Sequence, residues 1–339
     1  MEPKKKTYKI GILGAGGWGT ALSITLNDNH HSIKLWTYED YIADEINKQH
    51  TNSIFLNGVA IPENVIATTK ISELKDSDIF VIAIPTQHIR SVLKSKNLPR
   101  IKDKIILSVA KGIEKNTLMR VSEVITNTIR LPFEQFVILT GPSHAEEVAR
   151  KQPTTVVAAS ESISNAKEIQ TIFMTPYFRI YTTDDVIGCE IGGSLKNVIA
   201  IAAGIIDGLK LGDNTKAALI TRGLAEITRL GVAIGANAIT FSGLSGLGDL
   251  FVTCNSKLSR NRFVGEEIGM GKSVKEIQKS MEMIAEGIYT TESAYFLAKK
   301  HNVEVPIIEQ MYHILFKGKK PSKAIEDLMT RQSKREWWW

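Results

Sequence analysis

The sequence predicts an α/β protein in two parts, a mostly parallel sheet followed by an all-helical C-terminal domain. Three observations predict it. Apolar strand-like runs alternate with helical periodicity up to about residue 184, the pattern of successive β-α units feeding a parallel sheet. The first strand runs directly into Gly14-Ala15-Gly16-Gly17-Trp18-Gly19 and then a helical stretch. Strand, G-x-G-x-x-G, helix is the setting of a dinucleotide-binding loop, so the first part reads as Rossmann-type. From Asp184 to Leu328 strand patterns stop and helical ones dominate. The expected domains are therefore 1–185 for the dinucleotide, 186–330 for substrate and a tail at 331–339, with a site in the cleft between the two.

Taken in order, residues 7–13 form a buried strand. In the loop that follows, Gly14 makes the tight turn, Gly16 lets a pyrophosphate reach the backbone and Gly19 lets the helix pack on the strand. Phosphate would rest on the amides of that helix start. A second strand, Ser32–Trp36, ends in Thr37-Tyr38-Glu39-Asp40. An acid at such a strand end selects a free ribose 2′-hydroxyl and a base accommodates a 2′-phosphate. Neither stands directly there, so the preference between NAD and NADP stays open. A helix over 41–50 and a short strand over 65–69 follow, then strands over Asp78–Ile84, Lys104–Val109 and Gln135–Leu139. The strand ends place the glycine loop, Pro85, Lys111 and Gly141-Pro142-Ser143 where open α/β sheets bind ligands. Strands at 154–159 and 178–182 flank a helix from Ser162 to Phe173.

The totals set bounds. A chain of 339 residues allows two domains. Its 43% hydrophobic and 23% charged residues place it with ordinary soluble globular proteins. A net charge of +6 suits an anionic substrate or cofactor, but the lysines are scattered, which argues against nucleic acid. Lys4-Lys5-Lys6 reads as a solvated tail. Cys189 and Cys254 are far apart, in no metal-ligand spacing, as expected of a reducing cytoplasm. No signal peptide and no integral membrane segment are expected. Trp337-Trp338-Trp339 reads equally as a membrane- or partner-touching end and as a loose tail. The seven histidines, among them the adjacent His30 and His31, form no ligand cluster, so no metal is expected.

The stretch that organises the chain is Ile191–Leu209, a long buried helix apolar on nearly every face after Asn197. Lys196 does not belong there. A buried ammonium loses hydration and its pKa falls unless a partner offsets the loss, which suits a group that exchanges a proton near neutral pH. The plainer alternative is a lysine that snorkels to the surface at the helix start. Gly192 and Gly193 lack Cβ atoms and let something approach the backbone. Further on, Asp249 follows Gly246-Leu247-Gly248, and Ser259-Arg260-Asn261 opens a helix. Ser259 reads as an ordinary N-cap or, with Arg260 and Asn261, as a phosphate cup. Thr253 and Asn255 read as turn formers. Glu286 needs no function as a surface helix residue.

The blocks G-A-G-G-W-G-T-A-L, A-K-G-I-E, G-P-S-H-A-E-E-V, G-G-S-L-K-N-V-I-A-I-A-A-G, N-T-K-A-A-L-I-T-R-G-L-A-E, G-L-G-D-L and S-R-N-R together resemble the bacterial NAD(P)-dependent sn-glycerol-3-phosphate dehydrogenases, from about Lys9 to Leu328. The resemblance implies reversible NAD(P)H-dependent reduction of dihydroxyacetone phosphate to sn-glycerol 3-phosphate, supplying phospholipid synthesis. It implies Lys196 as proton donor and acceptor. Lys111 would bind substrate and cofactor, and Gly141, Ser143, Asp249, Ser259, Arg260 and Asn261 would hold the glycerol phosphate. With the glycine loop, Gly17, Trp18, Tyr38, Ala145, Arg260, Ile284 and Glu286 would line the cofactor. Two departures stand out: Tyr38 occupies the ribose-reading position where relatives often have His or Arg, and Gly17 replaces a common serine. Dehydrogenases of this size associate, so a homodimer is expected. The rivals are a dehydrogenase of the same architecture for another hydroxy acid, and a nucleotide-sensing or membrane-recruited binding protein.

Overall fold

The strand-rich half owes its sheet to short runs of β-branched and aromatic residues that bury both faces. In the computed structural model, which describes residues 6–280, 285–333 and 335–336, eight strands are found: β1 Lys9–Leu13, β2 Ser32–Trp36, β3 Val65–Thr68, β4 Ile79–Ile82, β5 Ile105–Ser108, β6 Phe136–Thr140, β7 Thr154–Ala159 and β8 Phe178–Thr183. They form one sheet in the order β3-β2-β1-β4-β5-β6-β7-β8. All neighbours are parallel except β6 and β7. Ile10 of β1 pairs with Ile33 on one side and Ile79 on the other. The strand order therefore reverses at β1, and the glycine loop leaves β1 at that switch point, where doubly wound sheets bind ligands.

Element ends differ from the sequence reading by a few residues. β4 stops at Ile82 rather than Ile84 and starts after Asp78, whose carboxylate instead accepts the Lys9 amide at 2.9 Å. The helix expected over 41–50 spans Asp40–Gln49 and ends on a left-handed His50 (φ 55°). The long buried helix begins earlier than Ile191, at Val186, and runs 23 residues to Gly208.

The chain divides into two compact units. One holds the residues up to Ala110 together with Val121–Val186, the other Lys111–Arg120 together with Ile187 onward. Lys111 thus leaves the sheet unit after β5 and belongs with the helices.

The second unit is organised on the Val186–Gly208 helix. By length and composition this helix passes as a membrane span, yet every residue of its apolar window is buried inside the protein. Ile191, Leu195, Val198, Ile199, Ile201 and Ile205 all join one helical core, each worth about 1.5–3 kcal/mol of burial. The helix lies backbone to backbone against the Arg260–Gly269 helix. A Cβ on Gly204 would sit 1.9 Å from the Arg262 carbonyl oxygen, and one on Gly265 1.9 Å from that of Ile201. Gly208 and Gly269 repeat the contact one turn on, at 2.3 Å from Glu266 O and 2.6 Å from Ile205 O. Small residues four apart on both helices permit this approach, as in close helix pairs generally. We expect Gly204→Ala to destabilise the protein by about 3 kcal/mol, since neither backbone can yield to the added methyl. Urea unfolding measures this, and an unchanged midpoint would show that the crossing relaxes freely.

Elsewhere in the unit, the buried carboxylate of Glu226 accepts the amides of Ile307 (2.7 Å) and Ile308 (3.1 Å). It thereby holds the start of the Pro306–Lys317 helix to the Asp213–Ala233 helix. Burial pushes its pKa up to about 7 against the pull of those two amides.

Candidate active site

In the sheet unit the glycine loop is tested by what a side chain would meet. Gly14 has φ +116°, and a Cβ there would lie 2.7 Å from the Ala83 carbonyl oxygen. At Gly19 it would lie 1.9 Å from Gly14 O, so the first helix (Gly17–Asp28) packs directly on the turn. At Gly16 nothing lies within 4 Å. The loop is therefore closed on the protein side and open at Gly16, a cradle that suits a pyrophosphate. No side chain caps the helix start and its first turn carries no acid, which leaves amides and positive dipole for an anion. The Trp18 indole N–H is buried without a hydrogen-bond partner among the described residues. Gly17 has a reason of its own: a Cβ there would meet Phe55 O at 2.6 Å, so a side chain would not fit this loop as built. Asn52, fully buried, donates to Ala15 O (2.8 Å) and to Thr20 Oγ1 (2.9 Å) and pins the loop.

Around this loop stand other sequence-predicted residues. Ala145 starts the Ala145–Ala149 helix, 3.6 Å from where a Gly17 Cβ would be. Gly141, at the end of β6, holds φ +134°, and Ser143 donates to its carbonyl oxygen at 2.9 Å. Tyr38 follows β2 and is 83% exposed. Gly14 N donates to Trp36 O, which ties the loop to that strand end. Glu39 accepts the Thr37 hydroxyl at 2.8 Å.

In the helical unit, the central helix and the loop after β5 each bring an ammonium group to one carboxylate. Asp249 is fully buried at the start of the Asp249–Asn255 helix. A π-type turn, Leu244–Gly248, delivers it there. That turn packs on the central helix because a Cβ on Gly192 would lie 2.4 Å from Ser245 O. The close approach expected at Gly192 is thus made by Ser245's carbonyl. Lys196 Nζ donates to Asp249 Oδ1 and, at 2.8 Å, to Thr253 Oγ1. Lys111 Nζ donates to Asp249 Oδ2 at 2.8 Å. One carboxylate therefore serves two ammonium groups, one on each oxygen. Lys196 does not snorkel: its residue is 7% exposed. Burial lowers its pKa to about 8, Asp249 opposing and Lys111 adding to the fall. Its ammonium has three N–H groups, and two are taken by Asp249 and Thr253. A third remains for a reacting oxygen.

Beside this cluster, Ser259 caps the Arg260–Gly269 helix by accepting the Arg262 amide at 3.2 Å, as the plain N-cap reading has it. The two arginines of S-R-N-R differ. Arg262 is bound to Asp207 at 2.7 Å and near Glu266 at 3.3 Å. Arg260 is exposed and makes no ion pair or hydrogen bond among the described residues. A cation at a helix N-terminus opposes the dipole, so Arg260 stands where an anion would relieve two positive charges at once. Asn261 donates to Asn197 Oδ1 at 2.9 Å and accepts the Gly287 amide at 3.0 Å, while Asn197 donates to Lys111 O at 3.4 Å. Glu286 opens the Glu286–Lys300 helix next to this relay. Ile284 lies outside the described residues, as does the tryptophan end.

The sequence reading left out Asn197 and gave Thr253 only a turn. Both had a signal. Asn197 is a second polar residue in an apolar helix, and Thr253 lies four residues after Asp249, on the same helical face.

Two sequence models cover nearly the whole chain: the NAD-dependent glycerol-3-phosphate dehydrogenase N-terminus matches residues 9–166 and the C-terminus of the same enzyme residues 185–326. The chain belongs to the NAD-dependent glycerol-3-phosphate dehydrogenase family. Among its relatives in the family, the glycerol-3-phosphate dehydrogenase [NAD(P)+] of Halalkalibacterium halodurans is 49% identical over 328 residues, 96% of this chain and 95% of that protein. The protein of that name from Geobacillus thermodenitrificans is 50% identical over 329 residues, 96% of each. The crystal structure of glycerol-3-phosphate dehydrogenase from Coxiella burnetii superposes with a TM-score of 0.91 at 37% identity, covering 96% of this chain and 99% of that one.

Proposed function

We propose that this protein reduces the C2 carbonyl of dihydroxyacetone phosphate to sn-glycerol 3-phosphate with NADH or NADPH, reversibly. The observation that carries the mechanism is the buried Lys196 ammonium, held on Asp249 with one N–H uncommitted. When bound, the nicotinamide supplies the hydride to the carbonyl carbon. As negative charge develops on the carbonyl oxygen, Lys196 stabilises it and transfers its proton, leaving a neutral amine that water re-protonates. A pKa lowered to about 8 lets the same amine act as base in the reverse direction. Asp249 holds Lys196 and Lys111 in place, and Lys111 adds positive charge beside Lys196. Arg260, with Ser259 and Asn261 at the same helix start, takes the substrate phosphate, and binding energy from that remote group orients the carbonyl. Gly141 and Ser143 complete the substrate contacts.

Gly14, Gly16, Gly17, Trp18 and Gly19 hold the pyrophosphate, with Ala145 beside them. Tyr38, just after the end of β2, is the residue offered to the adenosine ribose. Neither a carboxylate nor a cation is committed to the ribose 2′ position, since Glu39 is turned to Thr37. The two cofactors should therefore be used with kcat/KM values within about tenfold of each other, because one unpaired contact decides between them. Following absorbance with dihydroxyacetone phosphate and either NADH or NADPH tests both claims. Consumption of neither would reject the function, and a preference above a hundredfold would reject the open ribose site. The product supplies the glycerol phosphate of phospholipid synthesis, and we place the protein in the cytoplasm as a homodimer.

A further inference from the structure

The segment that carries Lys111 is a small closed loop. Ile113 and Arg120 pair across it as an antiparallel bridge, and the Glu114 amide donates to Met119 O at 2.9 Å. At its tip Asn116 and Leu118 hold φ +67° and +59°. Positive φ is uncommon for a leucine and persists only where the surroundings enforce it. Besides the Lys115–Glu292 ion pair at 2.8 Å, the two ends of the bridge are fastened to the helical core. Ile113 is fully buried there. Ser293 donates to Ile113 O at 3.2 Å. Arg120 donates to Glu190 Oε2 at 2.6 Å, and the Glu190 side chain is only 2% exposed. Glu190 lies on the central helix, six residues before Lys196.

A carboxylate buried in an apolar helix is costly, and a buried ion pair adds little net stability over well-packed apolar residues. Such a pair is better suited to fixing register. We infer that the Arg120–Glu190 pair is a positioning device that locks the loop onto the central helix and so holds Lys111 against Asp249. Arg120 stands across the bridge from Ile113, two residues from Lys111, so the pair and the catalytic cluster anchor the same short piece of chain to the same helix. Both act through Lys111. This rests on the reading of Lys196 as the acid–base group.

The consequence is readable in pH. The charged and polar groups packed on Lys196 are Asp249 and Thr253 from one helix and Lys111 from the loop. The nearby Cys254 thiol is neutral, its pKa pushed up to about 12 by burial. If the loop loosens, Lys111 withdraws. Lys196 then loses a like charge and keeps Asp249 to itself, so its pKa rises. Reduction needs Lys196 protonated, so its rate falls above that pKa. The falling limb should move to higher pH, and the rising limb of the oxidation should move with it.

The test is Glu190→Gln, which keeps shape and removes charge. We expect the limb to rise by about one pH unit, the size of a typical single-neighbour effect. At neutral pH kcat should fall about tenfold with little change in KM for dihydroxyacetone phosphate, as a misplaced charge does. In a Lys111→Met background Glu190→Gln should move the limb no further. The double variant Arg120→Met/Glu190→Met should regain thermal stability while keeping the shifted limb, and Arg120→Lys should show a smaller shift, which also carries the test if Glu190→Gln does not fold. A wild-type limb near pH 8 that Glu190→Gln and Arg120→Lys leave in place, with only thermal stability lowered, overturns the inference and leaves a structural ion pair. A wild-type profile with no such limb removes the acid–base reading of Lys196, and this proposal with it.

Discussion

Lys196→Met is expected to lower kcat for reduction of dihydroxyacetone phosphate by about 10³-fold, within the range that general acid catalysis supplies, with the fold retained. Methionine matches the length of the lysine stem and stays apolar, so the helical core around residue 196 keeps its packing. Asp249 does not become an orphaned buried charge, because Lys111 remains on its other oxygen at 2.8 Å. What disappears is the one N–H positioned to give a proton to the developing alkoxide. The deficit should sit in kcat rather than KM, since the interaction strengthens only as the oxygen becomes negative. The wild-type reduction rate should decline above pH 8 as Lys196 deprotonates, and the oxidation should rise through the same pH, because burial has brought the lysine pKa down to about 8. Steady-state kinetics across pH 6–10 with circular dichroism of the variant measures all of this. A well-folded Lys196→Met enzyme with near-normal turnover would remove the proton donor from the mechanism.

Arg260→Ala is expected to act on the other kinetic constant. Loss of a guanidinium paired to a phosphate forfeits charge-assisted hydrogen bonds worth about 1.5–3 kcal/mol each. KM for dihydroxyacetone phosphate should therefore rise about 10²-fold. Unphosphorylated dihydroxyacetone, a poor substrate with either enzyme, should hardly notice the change. Arg262→Ala serves as the contrast. Its guanidinium is already bound to Asp207, so its removal should lower stability before it alters KM. Equal effects of the two substitutions on KM would mean that the phosphate is not held at the helix start.

How much of this was visible in the sequence depends on how local the physics is. The glycine loop was legible because Gly14, Gly16 and Gly19 act within one strand-turn-helix unit: Gly19 meets Gly14 O, Gly14 meets Ala83 O, and Gly16 faces no described atom within 4 Å. Lys196 was legible because a charge in an apolar run contradicts its own surroundings. Arg260 was singled out as part of a phosphate cup at a helix start and by likeness to relatives. Nothing local distinguishes it from Arg262, and Asp207, which makes the distinction, lies more than fifty residues upstream. Lys111 was assigned to a strand end of the sheet unit, whereas the chain crosses to the helical unit for ten residues and returns. That excursion is decided by contacts with Asp249, Asn197 and Ser293, which no window of sequence contains. Glu190 was overlooked for the same reason: a glutamate eases into any helix by propensity, and its burial against Arg120 is a tertiary fact.

The glycine crossing of the two helices has a consequence for what the protein can evolve to do. Lys196 rides on one helix and Arg260 opens the other, and the two are clamped by close main-chain approach at Gly204, Gly208, Gly265 and Gly269. Rotamer changes cannot widen that separation. On the roles proposed above, the span from Lys196 to Arg260 works as a fixed caliper, so a descendant enzyme could exchange the group at either jaw more readily than it could accept a substrate one carbon longer.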